Sequence, residues 1–184
     1  MKSYAINASG LALNAQFIAS PNYDARPSPS GTSAISLIVI HNISLPPGQY
    51  GGNGIVELFN NQLNPNEHPY YADIYKQKVS SHFLIRRQGE LLQFVSCLDR
   101  AWHAGISSWK GKERCNDFSV GIELEGSDFD AFEPAQYQTL QLLIASLKQS
   151  YPIKAVVGHS DIAPERKTDP GPYFDWTKIE SKPK

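Results

Sequence analysis

Two histidines in this chain occupy equivalent places. His41 follows the apolar run Leu37-Ile38-Val39-Ile40, and His159 follows Lys154-Ala155-Val156-Val157-Gly158. Each run is short and rich in β-branched residues, so each reads as a buried strand that stops at its histidine. Strand ends of one sheet open into a shared cleft, which lets the two imidazoles converge although they lie far apart in the chain. Neutral imidazole is a preferred zinc ligand, and a catalytic zinc site commonly combines three protein ligands with an open position for water. The segment HSDIAPERKTDPG offers two carboxylates for the third place, Asp161 and Asp169. Pro164, Pro170 and Gly171 constrain that loop, so it can fold back on its own strand end. Spacing does not choose between the aspartates. There is no HExxH and no CxxC pair, and histidines in an ordinary chain are more often hydrogen-bonded or exposed than ligands.

A second group complements a metal. In SVGIELEG, residues 119–126, Val120, Ile122 and Leu124 alternate with Gly121, Glu123 and Glu125. That period of two predicts a strand with a polar face. On an antiparallel strand the default for such a face is solvent. The functional alternative turns one carboxylate into the cleft, to take a proton from metal-activated water and return it to a leaving amine. Lys167, just before Asp169, can set a positive charge where an oxyanion develops; taken alone it reads as a surface lysine. Tyr70, Tyr71, Trp102 and His103 supply aromatic faces for a sugar or lactyl group, with core packing the alternative for Trp102.

The elements that must position these groups are legible in outline. Residues 21–33 are rich in Pro, Ser and Gly and read as an extended surface segment. Ile55, Leu58, Phe59 and Gln62 suggest a short helix. Residues 82–95 predict a hairpin turning at Gln88-Gly89. After Pro134, a good first-turn residue, Tyr137, Leu140, Ile144 and Leu147 recur at helical spacing and stop before Pro152. Helices and strands therefore alternate irregularly. The expected fold is α+β, a central mixed β-sheet flanked by helices, in one domain spanning residues 1–184.

Composition narrows the function. Charged residues are 19%, the net charge is −1, and like charges do not cluster. That argues against a nucleic-acid partner or an anionic membrane surface. No stretch approaches the ~20 apolar residues needed to cross a bilayer, and the N-terminus has no apolar core of signal-peptide length. Cys97 and Cys115 are too few for a disulfide scaffold and read as reduced thiols of a cytoplasmic protein.

The segments IVIHNISLPPGQYGG, HPYYADI, VSSHFLIRRQGELLQFV, RAWHAG, ERCNDFSVGIELEG and GHSDIAPERKTDPGPYFDW together carry a resemblance. They resemble the type 2 N-acetylmuramoyl-L-alanine amidases, related to peptidoglycan recognition proteins. Within these they resemble the cytoplasmic enzymes acting on 1,6-anhydro-muropeptides in Gram-negative bacteria. The resemblance runs from about Pro21 to Trp176. It implies His41, His159 and Asp169 as zinc ligands, leaving Asp161 a supporting role. It also implies Glu123 as the catalytic carboxylate, Lys167 as the oxyanion partner, and Asn42, Tyr70, Trp102 and Arg114 as shapers of the substrate pocket. His82 and His103 are implied as fold or cleft residues. Some phage relatives use Cys as third ligand; this chain offers Asp169.

The implied reaction is zinc-dependent hydrolysis of the amide between (1,6-anhydro-)N-acetylmuramic acid and L-alanine in small muropeptides, during peptidoglycan recycling. Two rivals stand beside it: a phage-type endolysin amidase acting on intact peptidoglycan, and a non-catalytic peptidoglycan-binding module.

Overall fold

The computed structural model describes residues 4–27 and 35–179. Along them run β1 (Gln16–Phe17), β2 (Tyr23–Ala25), β3 (Leu37–Ile43), α1 (Gly54–Phe59), α2 (Pro69–Ile74), β4 (Phe83–Ile85), β5 (Leu91–Gln93) and β6 (Asp99–Ala101). After them come β7 (Ser108–Trp109), β8 (Lys112–Glu113), β9 (Ser119–Glu125), α3 (Pro134–Ser150), β10 (Ala155–Gly158) and α4 (His159–Ile162). The described residues build a six-stranded sheet in the order β1-β5-β4-β9-β3-β10. Only the β4–β5 hairpin is antiparallel within it; the other pairs run parallel. The architecture is the expected mixed sheet flanked by helices.

Parallel pairing explains why β9 departs from a strand with one wet face. With β4 on one side and β3 on the other, β9 is central, and parallel strands are usually covered on both faces. All seven of its residues are buried. Ile38, Ile40, Val120, Ile122 and Leu124 face one way and join Tyr137, Leu140, Ile144 and Leu147 of α3. Leu37 and Val39 face the other way, with Val157, Phe118 and Ile162. Glu123 and Glu125 lie on that second face, enclosed by the loops that cross it.

β3 does not stop at His41. It continues to Ile43, because β9 runs on to Glu125 and supplies pairing partners as far as Ile43↔Glu125. His41 is therefore held inside a ladder and not on a loop.

The hairpin turn behaves as its sequence demands. Gly89 adopts φ +78, and its N–H bonds the Arg86 carbonyl at 2.8 Å. A side chain there would also run into the Ala135 carbonyl of α3, at 2.7 Å. Gln136, fully buried, closes this junction by donating to the carbonyls of Ile85 and Glu125.

The segment from residue 21 is less superficial than its composition suggests, up to residue 27; the remainder lies outside the described residues. Tyr23–Ala25 pairs with β6, and Asn22 and Arg26 are buried. Arg26 donates to the carbonyls of Cys97, Asn116, Asp117 and Ser119, which latches this segment onto the entry to β9. Cys97 and Cys115 are both buried free thiols. Among the described residues no helix is long and apolar enough to cross a membrane.

Candidate metal centre

β3, β9 and β10 lie side by side, and their C-terminal ends carry the reactive groups. His41 and Glu123 are register partners, and Ile40 pairs with Gly158, so His159 begins α4 one residue beyond the ladder. Asp169 returns to this place through a tight loop. The N–H groups of Arg166 and Lys167 bond the Ala163 carbonyl, and Ser160 N–H bonds the Asp169 carbonyl at 2.9 Å. Asp161 turns the other way: its Oδ2 accepts from Gly158 N–H at 2.7 Å, closing the start of α4. The group of potential metal ligands is thus His41, His159 and Asp169.

Their geometry suits a small cation. His41 Nδ1 lies 3.0 Å from His159 Nδ1 and 2.9 Å from Asp169 Oδ2; the third edge, His159 Nδ1 to Asp169 Oδ2, is 3.1 Å. A tetrahedral ion with bonds of ~2.0–2.1 Å requires ligand atoms roughly 3.3 Å apart. The far nitrogens bear on which atoms carry lone pairs. His159 Nε2 sits 3.0 Å from the Ala104 carbonyl, which only accepts, so this nitrogen bears the proton and Nδ1 is bare. His41 Nε2 contacts His103 Nδ1 at 2.9 Å, and His103 Nε2 contacts Ser119 Oγ at 3.1 Å. A relay in which His41 donates to His103, and His103 to Ser119, leaves His41 Nδ1 bare as well. Two lone pairs and a carboxylate then converge without a shared proton, an arrangement a cation stabilises.

Electrostatics agree. Burial pushes His41 down to about 4, although Asp169 pulls against this, so the ring is neutral and ligand-competent near pH 7. Glu123 is only 8% exposed, and its Oε2 has no hydrogen-bond partner. Burial, reinforced by the Asp169 charge, raises its carboxyl well above the ordinary value, with Lys167 opposing.

His41, Asn42, Tyr70, Trp102, Glu123, His159, Lys167 and Asp169 all border one cleft of about 480 Å³. Arg114 is not among them. It borders a separate depression with Arg166, its guanidinium largely exposed and paired with Asp117. Asn42 borders the cleft, but its amide donates to Asp128 Oδ1 at 2.7 Å. Glu125, the other carboxylate of the β9 face, is committed elsewhere: it accepts from Gly51 N–H and Arg87 N–H. A larger depression of about 740 Å³, beside Arg86 and Arg87, has its acids engaged in the same way. His103 completes the site as the partner of His41, and Gly121 makes room for it. A Cβ at Gly121 would meet the His103 ring at 2.6–2.8 Å. The pairing of His103 with His41 leaves no mark in the sequence, since only the fold brings RAWHAG beneath β9.

This fold and site define a class. The family model of N-acetylmuramoyl-L-alanine amidases matches residues 31–172, and the chain belongs to that family. It is 53% identical over 172 residues to the 1,6-anhydro-N-acetylmuramyl-L-alanine amidase AmpD of Citrobacter freundii, covering 92% of this chain and 90% of that one. Its fold matches the crystal structure of a selenomethionine AmpD derivative with TM-score 0.90 and 51% identity, over 97% of both chains. It also matches the Escherichia coli amidase AmiD in complex with anhydro-N-acetylmuramic acid-L-Ala-D-γ-Glu-L-Lys. There the TM-score is 0.59 and the identity 34%, over 83% of this chain and 59% of that one.

Proposed function

We propose that this chain is a zinc-dependent amidase that hydrolyses the bond between (1,6-anhydro-)N-acetylmuramic acid and L-alanine in small muropeptides, in peptidoglycan recycling. The observation that carries the reading is the convergence of two imidazole nitrogens and a carboxylate beside the buried Glu123, whose Oε2 has no hydrogen-bond partner. The relatives named for that bond support the same chemistry.

His41, His159 and Asp169 would hold the ion, and two imidazoles with one carboxylate form a ligand set that zinc accepts. When bound, zinc supplies Lewis acidity, polarising an amide carbonyl and making hydroxide available near neutral pH. Glu123 takes the proton of the attacking water and delivers it to the alanine amine as the C–N bond breaks. Its raised pKa suits that exchange better than an exposed carboxylate would. Lys167 faces the developing oxyanion with a positive charge. Tyr70 and Trp102 offer aromatic faces to the sugar, Asn42 shapes the floor of the cleft, and the exposed Arg114 would meet a peptide carboxylate from outside it by exchanging its pairing with Asp117. We read the enzyme as cytoplasmic, a compartment in which Cys97 and Cys115 stay reduced.

Purified protein is incubated with anhydro-N-acetylmuramyl-tripeptide and with intact sacculi, with and without chelator, and products are analysed by mass spectrometry. Free tripeptide released from the small substrate, and lost on chelation, is the expected result. Preferential release from sacculi would make it a lytic enzyme instead. Binding without turnover, and without stoichiometric metal, would make it a recognition module.

A further inference from the structure

The loop that follows β9 makes a connection which the proposed reaction does not itself require. Asp128 Oδ1 accepts from the Asn42 amide at 2.7 Å, and Asp128 Oδ2 accepts from the Thr168 hydroxyl. Asn42 is the residue after His41. Thr168 lies between Lys167 and Asp169. One carboxylate therefore joins the strand bearing the first candidate ligand to the loop bearing the third, and to the lysine beside it.

Two further features show that the contact is built in. Gly171, at φ +80, leaves room for it: a Cβ there would lie 2.5 Å from Asp128 Oδ1 and 2.8 Å from the Asp128 Cα. The Asp128 loop is itself braced, since Asp130 Oδ2 accepts from Ser127 Oγ at 2.9 Å and from the Tyr50 hydroxyl. The 163–171 loop has other bonds, to Ala163, from Ser160 of α4, and from Arg166 to the Ala104 and Ile106 carbonyls, but none of these reaches β3. The link through Asp128 spans from β3 to that loop, and it sets where Asp169 and Lys167 stand relative to His41.

We propose that Asp128 is a positioning residue for the metal centre: it fixes the spacing of His41 and Asp169 by bonding the neighbour of each. This rests on the reading of the three ligands given above. Outer partners of metal ligands commonly govern affinity by 10- to 100-fold when removed. The conservative change Asp128→Asn should be well tolerated. The amide it introduces can still accept with its carbonyl and donate with its NH₂, to a flipped Asn42 amide or to the Thr168 oxygen.

The test measures metal affinity by competition with a chromophoric chelator, and the visible spectrum of the cobalt-loaded protein, for wild type, Asp128→Ala, Asp128→Asn and Thr168→Val. Asp128→Ala is expected to weaken affinity by ~10–100-fold and alter the cobalt spectrum, Asp128→Asn to restore both nearly to wild type, and Thr168→Val to fall between. Far-UV circular dichroism and melting of the chelated proteins check that the fold is kept. Should Asp128→Ala fail to fold, Thr168→Val carries the test, since it removes one arm only. Wild-type affinity and spectrum in Asp128→Ala, or in a Thr168→Val that stands in for it, overturn the inference. Failure of wild type to take up metal overturns the ligand reading and this inference together.

Discussion

His41 and Glu123 are paired residues of adjacent parallel strands, β3 and β9. Register partners in a parallel ladder project from the same face, so a candidate ligand and a candidate proton carrier stand side by side on rigid backbone. A shift of one residue between the strands would turn one of them into the α3 core. The alternating apolar residues on the other face, Ile38, Ile40, Ile122 and Leu124, hold that register.

The role of Glu123 can be separated from metal binding. Glu123→Gln keeps the shape but cannot carry a proton, so turnover of anhydro-N-acetylmuramyl-tripeptide should fall by ~10²–10⁴-fold. Metal content after dialysis should stay stoichiometric. Near-normal turnover with full metal would remove Glu123 from the mechanism.

The two aspartates should part company. Asp169→Ala is expected to lose stoichiometric metal and all measurable hydrolysis, because it deletes one corner of the ligand triangle. Asp161→Ala should keep its metal and lose about 0.5–1.5 kcal/mol of stability, the worth of its bond to Gly158 N–H. Metal analysis and denaturant melts on the two variants distinguish these outcomes. Metal retained in the first and lost in the second would reverse the assignment.

Gly121→Ala tests the seat of His103. The added methyl meets a ring already held between His41 and Ser119, so a cost of ~1–3 kcal/mol is expected from overpacking. A displaced His103 also releases His41 Nε2, so metal affinity should drop with stability. Unchanged melting and unchanged affinity would show that the ring has room to move.

Stability of the chelated protein should depend on pH through its buried histidines. His82 is fully buried; burial first, and the Arg26 charge second, lower it from 6.5 to about 3. Its Nδ1 accepts from Gly121 N–H, which requires the neutral ring. The folded pKa is the lower one, so the unfolded chain binds the extra proton between the two values. Stability is therefore fully present above pH 6.5 and falls as pH drops toward 3, at up to ~1.4 kcal/mol per pH unit for this group. Denaturant melts across that range should show the slope, and His82→Gln should flatten it while lowering stability at neutral pH. An identical slope in the variant would assign the effect to His41 and His103, which are also depressed.

Much of this protein is determined by local sequence. The apolar runs at 37–40 and 154–157, the period-two stretch 119–125, the helix after Pro134 and the Gly89 turn each follow from side-chain periodicity or backbone freedom, which neighbours in sequence suffice to express. The same runs put His41 and His159 where a cleft forms, and the motifs around them point to the family. What local pattern cannot express is which strands become neighbours. That pairing made β9 central, buried both of its faces, carried β3 past His41, and gave Glu123 the protected place and Glu125 the structural one. It also separated Asp161 from Asp169: the first lies in α4 and the second in the loop after it, and only the closure of that loop on α4 decides which carboxylate faces the histidines. His103 and Asp128 depend wholly on tertiary structure, because one meets a candidate ligand and the other the neighbours of two through contacts between distant segments.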